Sequence, residues 1–165
     1  MNNSPILLCG FMGAGKTTVG QALASRLGLP LLDTDAMIEA QHGPIPQIFA
    51  QQGESAFRQM ELQLAQTLPS AGQAVISTGG GFLLTPAVRQ CLTGNCRVIY
   101  LSVPFQECYR RIAASDRPLV RQNTKEQLSQ LYARRDGIYR ETATWVVDNS
   151  DSLENTIGQI ISLLG

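Results

Sequence analysis

The chain is poor in the side chains that build metal and nucleophile sites. Among its 165 residues it has one histidine, His42, and four cysteines, Cys9, Cys91, Cys96 and Cys108, whose spacing forms no C-x-x-C pair. That argues against a zinc site and against a Cys–His nucleophile. Lysine is also scarce: Lys16 and Lys125 stand against eleven arginines. Thirteen basic and thirteen acidic residues cancel to a net charge of +0. No basic excess is available for gripping nucleic acid or for a polybasic membrane anchor. No run of eighteen apolar residues, internal repeat or low-complexity linker is found. With no leader pattern before a first strand that starts after five residues, the expected setting is the cytoplasm, with reduced thiols. A neutral, compact chain of this length is expected to be one domain, 1–165, and a monomer.

What the chain does have is apolar material, 44% of its residues, in short runs of strand length. These are Ile6–Cys9, Leu29–Leu32, Ala74–Thr78, Arg97–Ser102 and Thr144–Asp148. They read as buried parallel strands, because helical stretches separate them. Thr85-Pro86 is an N-cap followed by Pro at the first helical position, Thr124 with Gln127 has the capping-box spacing, and Gly28 with Pro30 stops the first helix. Leu153, Ile157, Ile160, Ile161 and Leu164 form a helical stripe at the end. The pattern predicts an α/β fold with a five-stranded parallel sheet wrapped by helices on both faces. In such folds ligands bind at the carboxyl ends of the strands.

At the end of the first strand stands Gly10-Phe11-Met12-Gly13-Ala14-Gly15-Lys16-Thr17, which is G-x-x-x-x-G-K-[ST]. Glycines permit the left-handed backbone that turns successive N–H groups onto one anion. Lys16 supplies a mobile charge for the outer phosphates, and Thr17 a hydroxyl for Mg²⁺. The helix that follows adds about half a positive charge at its N-terminus.

Other polar residues also follow strands. In Asp33-Thr34-Asp35 an extended backbone would turn both carboxylates to one side, one for the water shell of Mg²⁺ and one for an acceptor hydroxyl. A helix N-cap explains one of the two as well. In the helix begun by Gly53, Glu54 and Glu61 share a face with Arg58. That spacing suits a surface ion pair or a guanidinium held for an anionic substrate, and spacing alone does not choose. Gly79-Gly80-Gly81 is bare backbone that a ligand can approach closely. Arg134-Arg135-Asp136-Gly137-Ile138-Tyr139 closes a long helix. The polar segment 114–124, with Arg117-Pro118 and Arg121, reads as a mobile lid or as a surface loop.

Taken in order, Gly10–Thr18, Asp33-Thr34-Asp35, Phe57-Arg58 with Glu61, Thr78–Gly81, Arg110, Arg117-Pro118-Leu119 and Arg135-x-x-Ile138-Tyr139 resemble the shikimate kinase family nearly end to end. The resemblance implies a P-loop, nucleoside-monophosphate-kinase-like three-layer fold with a lid. It implies that Gly13, Ala14, Gly15, Lys16, Thr17, Thr18, Arg110 and Arg117 bind ATP, with Arg110 near the adenine. Thr17 and Asp33 would hold Mg²⁺. Asp35, Arg58, Gly80, Gly81 and Arg135 would bind shikimate, with Lys16, Asp35 and Arg117 catalytic and Glu61 supporting Arg58. The phosphate loop would be 10–17, the acceptor region about 33–61 and the lid about 114–124.

The chain departs from the family in having Gly137 where Pro is frequent, which loosens the expected turn, and Val120 where Leu is frequent in the lid. Arg135 is chosen over Arg134 by its spacing to Tyr139. The alternatives are a kinase for another small hydroxy acid such as gluconate and a non-catalytic nucleotide-binding regulator. The first family lacks the D-T-D, F-R-x-x-E and G-G-G combination. The second would be expected to lose Lys16, Asp35 or an arginine.

Overall fold

The computed structural model describes residues 3–165. Five strands, β1 (Ile6–Cys9), β2 (Leu31–Asp33), β3 (Val75–Ser77), β4 (Arg97–Ser102) and β5 (Trp145–Asp148), form one parallel sheet in the order β2-β3-β1-β4-β5. Every pairing is parallel, with Ile6 opposite both Val75 and Arg97. β1 is thus the middle strand, and its loop emerges between the ends of β3 and β4.

Side-chain alternation along β1 sorts the core into two layers. Leu7 and Cys9 point with Ile76, Val98 and Tyr100 into a layer completed by Ile38, Ile48, Phe57, Leu64, Val88 and Tyr139. Those residues come from α2 (Thr34–His42), α3 (Ile45–Gln52), α4 (Glu54–Thr67), α5 (Pro86–Leu92) and α8 (Lys125–Thr142). Ile6 and Leu8 point with Val75, Ile99, Leu101 and Val147 to the other face. There they meet Val19 and Leu23 of α1 (Lys16–Leu27) and Ile157 and Ile160 of α9 (Leu153–Leu164). Each such side chain, fully buried, contributes about 1.5–3 kcal/mol. A third cluster, with Phe11, Met12, Val103, Cys108, Ile112 and Leu128, packs α6 (Phe105–Ile112) and α8 beside the loop after β1.

The capping box of α8 forms as its spacing predicts: Thr124 N donates to Gln127 Oε1 at 2.8 Å and Gln127 N to Thr124 Oγ1 at 3.2 Å. Gly28 ends α1 at φ 66°. Thr85 precedes α5, although its side chain makes no capping bond.

Three expectations need correction, and one segment gains detail. The second strand lies at Leu31–Asp33 rather than 29–32, because Pro30 has no N–H to give and contributes only its carbonyl, to Val75 N at 2.9 Å. α2 begins at Thr34, so Asp35 stands in a first helical turn and not on an extended segment. Segment 114–124 contains a short helix, α7 (Pro118–Gln122). Finally, α8 does not close within residues 134–139. It runs on through Gly137 to Thr142, so there is no turn for Gly137 to loosen. An exposed helical glycine costs about 1 kcal/mol relative to Ala, which the rest of an 18-residue helix outweighs.

All four cysteines are free thiols, and no helix among the described residues is long and apolar enough to cross a membrane.

Candidate active site

The carboxyl ends of the strands surround a cavity of about 590 Å³. Its walls include Gly13, Gly15, Lys16, Thr17 and Thr18 from the phosphate loop, Asp33 and Asp35 after β2, Thr78 to Gly80 after β3, and Arg117 from the segment before α7. The loop takes the shape its glycines allow: φ is 78° at Gly13 and 92° at Gly15. Lys16 Nζ donates to the carbonyls of Gly10 at 2.7 Å and Phe11 at 3.1 Å. Burial holds its amine down at about 8, with Arg117 and Arg135 acting in the same direction.

Asp33 closes β2 and caps α2, its Oδ1 accepting from Ala36 N at 2.9 Å. Asp35, the second residue of α2, also faces the cavity. Its carboxyl is raised above the ordinary range, first by burial and then by repulsion from Asp33 and Glu39. Lys16 and Arg58 both act on it in the opposite sense, so Asp35 lies within the field of the phosphate loop and of the arginine pair. Between the two aspartates, Thr34 is buried and its Oγ1 accepts from Gly79 N at 2.9 Å, tying the β2 connection to the glycine run.

None of the three glycines has a positive φ, and space is tight at Gly79 and Gly81 but not at Gly80. A β-carbon on Gly79 would collide with the Asp35 carboxylate. One on Gly81 would lie 2.5 Å from Arg58 Nη1, and one on Gly80 3.4 Å from Arg135 Nη1. The bare backbone thus leaves room for the protein's own charged groups. Arg58 Nη1 donates to Gly81 O at 3.0 Å and to Glu61 at 2.6 Å, while Nη2 reaches Glu54 at 3.3 Å. Tyr139 Oη donates to Gly80 O at 2.8 Å and fixes the middle of the run.

Arg135 is the outlier. It is 7% exposed, its Nε has no hydrogen-bond partner, and it forms no ion pair with any described residue. Burial lowers its pKa, and Arg58 and Arg134 push the same way. A buried guanidinium without a counter-charge is costly unless an anion joins it. Arg134, its neighbour, is exposed.

Ala14, Arg58, Gly81, Arg110 and Arg135 do not themselves line the cavity. Arg58, Gly81 and Arg135 lie just beside it, Arg58 against Gly81 and Arg135 against Gly80. Arg110 lies outward on α6, its side chain 71% exposed and paired with Glu107. The neighbouring Arg111 lines the cavity instead and donates to Gly13 O at 2.7 Å. The sequence did contain that signal. At about 100° per residue, Arg111 lies roughly 60° from the buried Cys108 and Arg110 roughly 160°. Asn149 and Asp151, which follow β5 on the same wall, were also missed, although the strand-end rule covers them.

A glycine-rich phosphate loop on the central strand of a five-stranded parallel sheet, with paired aspartates opposite it, defines a P-loop small-molecule kinase. A family model for shikimate kinase matches residues 12–164. The chain belongs to the shikimate kinase family of ATP-dependent enzymes. It is 41% identical over 164 residues to the shikimate kinase of Enterococcus faecalis, covering 96% of this chain and 97% of that protein. A solved structure of shikimate kinase from Acinetobacter baumannii in complex with shikimate superposes with a TM-score of 0.89 at 36% identity, covering 99% of this chain and 93% of that one. A gluconokinase from Sinorhizobium meliloti shares the fold alone, with a TM-score of 0.62 at 18% identity, covering 97% of this chain and 90% of that one.

Proposed function

We propose that the protein transfers the γ-phosphoryl group of ATP to the 3-hydroxyl of shikimate, giving shikimate 3-phosphate and ADP, as one domain and as a cytoplasmic monomer. The observation that carries the choice of acceptor is the buried, uncompensated guanidinium of Arg135 beside Arg58 and the glycine run. A small acceptor with one carboxylate supplies the missing negative charge. Shikimate has that carboxylate and, across its ring, hydroxyls for Asp35. The neutral overall charge gives nucleic acid and membrane surfaces no claim on the site.

In this reading Gly13, Ala14, Gly15, Lys16, Thr17 and Thr18 hold the polyphosphate. Arg117, carried by lid segment 114–124, adds positive charge to the transferring group. Arg110 was expected at the adenine, and Arg111, on the cavity wall, is the better placed of the two. The Thr17 hydroxyl and the Asp33 carboxylate are hard oxygen donors on one wall, which suits Mg²⁺, an ion that takes few protein ligands beside phosphate oxygens. When bound, Mg²⁺ offsets charge on the outer phosphates. Asp35 orients the attacking hydroxyl and accepts its proton, for which a raised carboxyl pKa is suited. Arg58 and Arg135 fix the carboxylate, with Gly80 and Gly81 beside it and Glu61 holding Arg58. The lid excludes water, which otherwise competes as acceptor.

The test is ADP release with shikimate, with gluconate and with no acceptor. Release that depends on shikimate alone is expected. Release with gluconate only would replace the acceptor assignment, and nucleotide binding without release under any condition would make the protein a regulator.

A further inference from the structure

We infer that Asn149 is a positioning residue for the phosphate loop: from the β5–α9 connection, its side-chain amide sets the peptide between Ala14 and Gly15 in the orientation that binds polyphosphate. The inference rests on the kinase reading only in needing a polyphosphate to bind. It does not depend on the acceptor.

Three contacts carry it. Asn149 is buried, and its Nδ2 donates to Ala14 O at 2.6 Å. Thr156 Oγ1, on α9, donates to Asn149 Oδ1 at 2.6 Å, with a longer contact to Ser152 O at 3.3 Å. The backbone N–H of Asn149 donates to Ser102 O on β4 at 2.9 Å. The direction of the amide follows from chemistry. A carbonyl oxygen can only accept, so the atom facing Ala14 must be the nitrogen, and Thr156 supplies the proton that suits the other end. Main-chain anchoring to β4 and side-chain anchoring to α9 leave the amide little freedom.

The consequence for the loop follows from peptide geometry. In a planar trans peptide the carbonyl of one residue and the N–H of the next point in opposite directions. Pinning Ala14 C=O toward Asn149 therefore turns Gly15 N–H the other way, toward the concave side of the loop. Gly15 is in the left-handed region at φ 92°, and a β-carbon there would lie 2.7 Å from Asn149 Nδ2. Glycine at position 15 thus serves two ends at once: the backbone twist and the close approach of this amide. Ala14 N–H, for its part, is used within the loop, donating to Phe11 O at 3.1 Å. The loop's own bonds do not fix the Ala14 carbonyl, and Asn149 does.

The experiment measures binding of ATP, inorganic tripolyphosphate and adenosine to the wild-type protein and to Asn149→Ala and Thr156→Val, by calorimetry, with steady-state kinetics and melting temperature alongside. For Asn149→Ala, ATP and tripolyphosphate are expected to weaken by the same factor, roughly tenfold, with adenosine unchanged. KM for ATP should rise while KM for shikimate at saturating ATP stays within twofold. Thr156→Val, which loses the orienting hydroxyl but leaves Asn149 in place, should show the same pattern at roughly threefold. Asn149→Ser, which keeps a short donor, should recover part of the loss. A purely structural role would lower the melting temperature and the active fraction and leave the polyphosphate affinity of the folded protein unmoved; that result overturns the inference. So does loss of ATP affinity without loss of tripolyphosphate affinity, which would place Asn149 at the base. If Asn149→Ala does not fold, Thr156→Val and Asn149→Ser decide, and wild-type tripolyphosphate affinity in both overturns it. Failure of the wild-type protein to bind ATP would instead remove the kinase reading.

Discussion

Glu61, 1% exposed, accepts a 2.6 Å hydrogen bond from Arg58 Nη1, and the same nitrogen donates to Gly81 O. Burial raises the Glu61 carboxyl even though the Arg58 contact draws it down. The charged pair is therefore held by geometry against desolvation. Removing the acid leaves Arg58 without its buried partner. Glu61→Ala is expected to cost about 3 kcal/mol in urea unfolding, the low end for a buried pair because Arg58 is partly solvated. KM for shikimate should rise with it, and Glu61→Gln should lose less of both. A Glu61→Ala protein as stable as wild type would show that the pair does not constrain Arg58.

Gly81→Ala tests the role of the glycine run. The new β-carbon meets the far end of Arg58, a flexible group, so the fold should lose less than about 1 kcal/mol. Displacing the guanidinium by even an ångström is costly for positioning, and shikimate kcat/KM should fall roughly tenfold or more. Gly80→Ala, with its nearest neighbour at 3.4 Å, should be milder. Equal effects of the two substitutions would contradict the spatial argument.

Asp35 must be ionised to take a proton. Because its carboxyl is raised, the acid limb of kcat/KM should lie above the ordinary aspartate value of 3.8, with activity lost as pH falls through it. Asp35→Asn should lower kcat by at least about 10²-fold and leave ATP binding nearly unchanged. Parallel loss of ATP affinity would move Asp35 out of the proton-accepting role.

Lys16 is held down at about 8 in the free protein, so near that pH about half of it is neutral. Polyphosphate favours the charged amine and restores its ordinary value. ATP binding at pH 8 should therefore take up about half a proton, and much less at pH 6.5, where Lys16 is already charged. Calorimetry in buffers of different ionisation enthalpy reads this directly. Lys16→Met should abolish the uptake and lower turnover roughly 10²-fold or more.

What the sequence disclosed and what it concealed have separate physical causes. β1 and β4 lie where their apolar runs predict, because central strands are buried on both faces, β1 throughout and β4 in its four middle residues. Edge strand β2 is three residues long and partly exposed, so its limits were set by Pro30 and not by hydrophobicity. The phosphate loop was legible because backbone chemistry fixes its residue types. The spacing of Glu54, Arg58 and Glu61 was legible as a shared face, but only the packing against Gly81 gives that face its direction. The helical setting of Asp35 was left open by the sequence, because Asp33 is both the last residue of β2 and the cap of α2. Asn149 was marked only by its place at a strand end, because its partner Ala14 lies 135 residues away and no local spacing reports the contact.

The identity of the acceptor is the central claim. Incubation with ATP, Mg²⁺ and shikimate, followed by ³¹P NMR and mass spectrometry of the product, tests it most directly. A single new phosphate ester on the 3-hydroxyl, formed with one ADP per ester and lost in Arg135→Ala at the same shikimate concentration, is the result expected. Unmodified shikimate from protein that demonstrably binds ATP would contradict it.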